Sequence, residues 1–147
     1  MAQQVSIPKD FLEFQPHDIV FGIDIQYVGD LAFCAVAVHH FNGHHIQTFV
    51  HKTDAGMEYL SGFFCFREGP PISRTIRRIL DTQNVIPKLI IIDGHGIAHP
   101  RGLGVASWLG VTTNIPSMGI AKRALLHYDG ELQEQRGATL PIFHRNK

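Results

Sequence analysis

Net charge is the first thing this chain lacks. Lys plus Arg number 13, Asp plus Glu number 13, and only 18% of residues are charged. A zero balance argues against coating a polyanion through bulk charge, while 44% hydrophobic residues exclude disorder and suffice for a core. Cysteine is nearly missing as well. Cys34 and Cys65 are the two present, both in apolar segments without CxxC spacing, so they read as buried thiols rather than a disulfide scaffold or a zinc knuckle. No run reaches the roughly 18 apolar residues of a membrane span, and Met1 to Asp10 lacks the charged-then-apolar layout of a signal peptide. Internal repeats and low-complexity tracts are also absent. What remains is a globular, cytosolic chain whose 147 residues suit one domain of ordinary size.

The neutrality is a sum of opposites. Residues 1–60 hold seven acids and two bases, a net charge of −5; residues 61–147 hold six acids and eleven bases, a net charge of +5. From Gly94 to Tyr128 the chain contains Arg101, Lys122 and Arg123 but no acid, a stretch whose field favours a polyanion.

Asp18 to Tyr27 and Leu31 to Phe41 are rich in β-branched and aromatic residues, and Gly29-Asp30 between them predicts a hairpin. Asn42-Gly43 then predicts a type I′ turn into a third strand, His44 to Lys52, with His40 facing His45 across the strands. Gly69-Pro70-Pro71 marks a helix start, and Ile72, Ile76, Ile79 and Leu80 form its buried stripe. Arg74, Arg77 and Arg78 occupy the other side, by default a solvated face and less often a phosphate-facing one. Pro87 to Asp93 reads as a central strand covered on both faces. A short helix from Leu103 to Leu109 closed by Gly110, a strand region from Val111 to Ile120 and a last strand from Leu140 to Phe143 complete the reading. The fold class is α/β: a mixed sheet of three antiparallel strands followed by parallel strands, with flanking helices. Ligands of such sheets bind beyond the carboxyl ends of parallel strands, which points to Asp93 and the DGHG turn.

Three acids look misplaced for a structural role. Asp24 interrupts the apolar FGIDIQY, where a carboxylate must be desolvated and so needs a partner. Glu68 precedes the expected helix start, where the plain reading is an acid complementing the helix dipole. Asp93 ends a strand, where Asp often serves as a cap or turn residue. Taken together, they can converge at one sheet edge. Clustered carboxylates repel unless a cation binds, and hard oxygen ligands suit Mg²⁺ completed by substrate phosphate, the layout of metal-assisted phosphodiester hydrolysis. The hairpin histidines offer a transition-metal alternative, but two ligands fall short of a structural zinc site, so an exposed polar face is preferred. Tyr59 and the Phe63, Phe64, Phe66 run could stack on bases; phenylalanines in such a run are more often core, and Tyr59 is the one expected to be exposed.

The strings FGIDIQY, EYLSGFFCFREGP, IIDGHGIAHPRGLGVASWLG and IPSMGIAK, in that order and spacing, resemble the endonuclease V family from about Asp18 to Lys122. The resemblance implies a ribonuclease H-like fold and a metal-dependent endonuclease that acts on deaminated adenine (inosine) in DNA or RNA. Such an enzyme cuts the second phosphodiester bond on the 3′ side, leaving 3′-hydroxyl and 5′-phosphate ends, and serves DNA repair. By position it makes Asp24 and Asp93 the direct Mg²⁺ ligands, with Mn²⁺ a possible substitute, and Glu68 the third acid, acting partly through water. Lys122 would approach the scissile phosphate, and the His99-Pro100-Arg101 turn would support the site. Tyr59 matches the wedge that props the strands apart once the damaged base is turned out. Phe64, Gly94, Gly104 and Leu125 match positions that line the base pocket.

Two departures accompany the match. The family places prolines around the wedge tyrosine, whereas here Glu58 precedes Tyr59 and Leu60-Ser61 follow. The resemblance also implies one domain over residues 1–147 without the family's usual C-terminal strand and helix, and His144 does not stand where the family has its active-site histidine. The expected partner is nucleic acid with deaminated bases, bound by a monomer away from membranes. A second reading is a shortened, catalytically weak protein that binds inosine-containing or branched nucleic acid without efficient cleavage. A third is another ribonuclease H-like nuclease, such as one resolving junctions.

Overall fold

Alternating apolar residues set the first two strands, and the third pairs with the second through a tight hairpin. β1 (Ile19–Val28), β2 (Leu31–His40) and β3 (His45–Asp54) run antiparallel, as expected, in a computed structural model that describes residues 1–7, 12–56 and 64–143. β2 shows the period of two plainly: Ala32, Cys34, Val36 and Val38 are buried, and the residues between them are not. Helix α1 (Phe64–Gln83) follows, then β4 (Leu89–Asp93), helix α2 (Val105–Thr113) and β5 (Ser117–Ile120). The sheet order is β3-β2-β1-β4-β5, with β4 parallel to β1 and β5 parallel to β4. This is the ribonuclease H-like mixed sheet. Among the described residues no helix is long and apolar enough to cross a membrane.

Both helices bury their apolar stripes against one phase of the strand residues. Ile72, Ile76 and Ile79 of α1 and Val105, Ala106 and Leu109 of α2 meet Phe21, Ile23, Val36, Ile90 and Ile92 in a single core. The opposite phase leaves Val28, Val50, Met118 and Ile120 exposed. β4 therefore alternates, with only Ile90 and Ile92 buried, rather than being covered on both faces.

Several boundaries differ from those the sequence suggests, each for a local reason. α1 is already helical at Phe64, so Pro70 and Pro71 lie inside it and Glu68 is a helix residue rather than one ahead of the start. The buried stripe of Cys65, Glu68, Ile72 and Ile76 outweighs the lost backbone bonds. α2 runs from Val105 to Thr113 and ends at Asn114 in the left-handed conformation (φ 56°). Gly110 is thus interior to α2, lying against Ser117, and residues 111–113 are helical rather than extended. The expected strand Leu140–Phe143 is reduced to one bridge between Phe143 and His127.

The second hairpin is a three-residue loop. Gly43 takes φ 93° and donates to the His40 carbonyl at 2.9 Å, while Asn42 keeps a negative φ, so the turn is type I with a glycine bulge rather than type I′. A register shift at Val38/His39 then pairs His39, not His40, with His45, their rings 4.9 Å apart. Hairpin imidazoles already bond locally: His40 Nδ1 to the His17 carbonyl at 2.8 Å and His45 Nε2 to Thr48 Oγ1 at 2.9 Å. Arg74 and Arg78 do not face solvent alone. Arg74 donates to Thr53 Oγ1 and the Asp54 carbonyl, and Arg78 bonds His51, so they anchor α1 to β3.

Candidate active site

Parallel pairing of β1 with β4 ends at Ile23 opposite Ile92, which brings the next residues, Asp24 and Asp93, to the same sheet edge. Here the β1–β4 pairing stops while β1 runs on beside β2 to Val28, and both carboxylates are exposed. Asp24 thus lies inside β1, as its neighbours suggest, but is solvated rather than desolvated; its Oδ1 accepts the Ile25 N–H at 2.9 Å. Glu68 arrives from α1 and is 6% exposed. The three acids line one cavity of about 440 Å³. Burial first, then the charges of Asp24 and Asp93, push the Glu68 carboxyl up to about 8, with Arg67 opposing.

The rim is basic. Lys122 Nζ lies 3.7 Å from Asp93 Oδ2, and with the lysine side chain 90% exposed this is a weak ion pair that a phosphate can displace. Arg123 and His95 join the lining, and His95 Nε2 donates to the Arg123 carbonyl at 2.8 Å, tying the DGHG loop to the segment after β5. Phe64 and Leu125, both exposed, and Gly94 supply an apolar flank to the same cavity. A second cavity of about 390 Å³ runs along β1, β4 and β5 and shares Asp93 and Lys122 with the first.

The DGHG loop is packed too tightly for side chains. A Cβ on Gly104 would sit 2.0 Å from the His95 carbonyl oxygen, and one on Gly94 2.4 Å from Val105 Cγ1. Gly104 is buried and opens α2, and its N–H donates to the Gly96 carbonyl at 2.9 Å. His99 and Arg101 stand further along this loop and are not among the cavity's lining residues. The Arg101 N–H donates to His99 Nδ1 at 3.2 Å, and burial, then His95 and Arg101, holds the His99 imidazole below its ordinary range. Phe64 and Phe66 are exposed rather than core. Tyr59, Glu58, Phe63 and His144 lie outside the described residues.

The structure thus brings Asp24, Glu68, Asp93, Lys122, Phe64, Gly94 and Leu125 to one cavity. His95 and Arg123 join them without having been singled out for the site. His95 carried a signal, as the one imidazole within DGHG, but its bond to a carbonyl 28 residues later is not legible in a string.

The donor set fits a hard divalent cation. Three carboxylate side chains share the cavity, and burial, then the charges of the other two, raises the Glu68 carboxyl to about 8. Among the described residues no three His, Cys, Asp or Glu side chains close into a metal cage.

Comparison with known proteins points to one family. A family model described as Endonuclease V matches residues 1–147. An Endonuclease V of Trichormus variabilis is 37% identical over 136 residues, which is 90% of this chain and 60% of that protein. The solved Endonuclease V from Streptomyces avermitilis superposes with a TM-score of 0.83 at 29% identity, over 99% of this chain and 63% of that one. Endonuclease V of Ciona intestinalis, solved in complex with a 24mer DNA containing an inosine followed by a ribo-adenosine, gives a TM-score of 0.68 at 27% identity, over 75% of this chain and 48% of that one. The chain therefore spans about 60% of the length of the first curated relatives it matches.

Proposed function

Because the chain belongs to the endonuclease V family, we propose that it is a metal-dependent endonuclease acting in DNA repair. It cuts the second phosphodiester bond 3′ to deaminated adenine (inosine) in DNA or RNA. The observation that carries this reading is the meeting of Asp24, Glu68 and Asp93 in one cavity with Lys122 on its rim. The Ciona relative's complex with inosine-containing DNA supports the substrate class.

Mg²⁺, or Mn²⁺ in its place, would be held by Asp24 and Asp93 with Glu68 as the third acid, and when bound it acidifies an attacking water and offsets charge on the phosphate. Lys122 orients the scissile phosphate once it leaves Asp93, and Arg123 adds positive potential beside it. Phe64 and Leu125 give a turned-out base an apolar wall, and Gly94 lets backbone approach its edge. Tyr59 serves as the wedge, and His99, Arg101 and Gly104 hold the loop that carries Asp93 and His95.

The test is a nicking assay on inosine-containing oligonucleotides with Mg²⁺ or Mn²⁺. Wild-type chain should cut at the second bond, and Asp93→Ala should lose at least about 100-fold in rate, as expected when a charge-stabilising ligand goes. Gel-shift binding without nicking above the Asp93→Ala control would overturn the enzyme reading and leave a binding protein. Equal cutting of undamaged strands would exclude lesion recognition and favour a different ribonuclease H-like nuclease.

A further inference from the structure

Helix α1 carries Pro70 and Pro71 in its interior, and neither nitrogen bears a hydrogen. The carbonyls of Phe66 and Arg67, four residues back, therefore lose the usual helical donor. Glu68 sits in that turn. Tyr27 of β1 reaches the turn twice. Its Oη donates to the Arg67 carbonyl at 3.4 Å, and the Arg67 guanidinium carbon lies 4.4 Å from the centre of the Tyr27 ring. Tyr27 stands three residues beyond Asp24 on the same strand, about 10 Å along it at strand rise. Burial, then the nearby Glu68 charge, pushes the phenol up to about 12, which keeps the O–H available as a donor.

We propose that Tyr27 is a positioning residue: it ties the proline-interrupted turn carrying Glu68 to the strand carrying Asp24, and so sets how these two carboxylates face a shared cation. The proposal rests on the reading of the cavity as a divalent-cation site, and it does not require inosine to be the substrate.

The test measures Mn²⁺ binding to the whole chain without nucleic acid, by the loss of the free-ion electron paramagnetic resonance signal, at a temperature where circular dichroism shows each variant folded. Tyr27→Phe keeps the stacking and loses the O–H, so it should weaken binding about 3-fold; Tyr27→Leu loses both contacts and should weaken it about 10-fold or more. Val38→Ala, a core change at the far end of β2, should lower the melting temperature yet bind Mn²⁺ like wild type. If Tyr27→Leu does not fold, the Tyr27→Phe shift against Val38→Ala decides the matter. Unchanged affinity in the Tyr27 variants, an equal loss in Val38→Ala, or no Mn²⁺ binding by wild type would each overturn the proposal. A Tyr27-dependent Mn²⁺ site in a chain that fails to nick inosine substrates would sustain it while removing the nuclease reading.

Discussion

Glu68 is buried beside two other carboxylates, and its ionisation works against the fold. Its folded-state value is about 8 against an ordinary 4.5, so between these pH values the folded chain keeps a proton that the unfolded chain has already lost. Stability is then fully present below about pH 4.5 and declines as pH rises towards 8. Asp18 acts with the opposite sign. The Gln15 N–H and the Lys88 ammonium lower its value, so its contribution is present at neutral pH and is lost on acidification. Thermal melts in a chelator should show the melting temperature falling from pH 5 to pH 8. Glu68→Gln should flatten that slope and stabilise the chain at pH 8 by on the order of a few kcal/mol; a slope unchanged by the substitution would contradict the assignment. Mn²⁺ should restore the wild-type melting temperature at pH 8 through mass action. The site's acids were legible as a set: Asp24 stands out in an apolar strand, while Glu68 and Asp93 each have an ordinary local role and point to a site only together with it. Their exposure was not: Asp24 reads as a buried strand residue until the parallel pairing is seen to end beside it.

At the scale of elements, the contact between α1 and α2 is made by a residue with no side chain. A Cβ on Gly69 would lie 2.4 Å from Trp108 Cε3 and 2.7 Å from two further ring atoms, so a methyl group there must part the helices. Gly69→Ala is expected to cost about 1–3 kcal/mol, the usual range for overpacking a core, and to lower the urea midpoint. A neutral result would mean that the indole moves aside freely. The same glycine illustrates a limit of local reading. Next to two prolines it looks like a helix boundary, yet it is retained because Trp108, 39 positions later, occupies the space. The first three strands were readable from their β-branched and aromatic residues and the turn pairs between them, and the Ile72–Ile76–Ile79 stripe of α1 because it repeats along the chain. The α2 boundary was not, since Gly110 signals an end that Ser117 packing overrides.

On the scale of the whole molecule, zero net charge conceals a directed field. The acid-rich half supplies β1 with Asp24, and the base-rich half supplies Lys122 and Arg123 on the cavity rim, while Arg74 and Arg78 are occupied in holding α1 to β3. Affinity for an inosine-containing oligonucleotide should therefore fall between 50 and 200 mM salt, and Lys122→Ala with Arg123→Ala should reduce the log–log salt slope by about 2. A slope unaffected by the pair would place the phosphates elsewhere. The sequence by itself determined the order of strands and helices, the apolar phase that makes the core and the three acids that stand against their surroundings, because these depend on neighbours within a turn or a strand. Only the tertiary structure decided that Asp24 meets Asp93, that Glu68 is buried beside their charges, that His95 bonds beyond β5 and that Tyr27 touches Arg67 in the turn that carries Glu68. These are contacts between residues far apart in the chain, and burial and electrostatic potential exist only once the parallel crossover has brought them together.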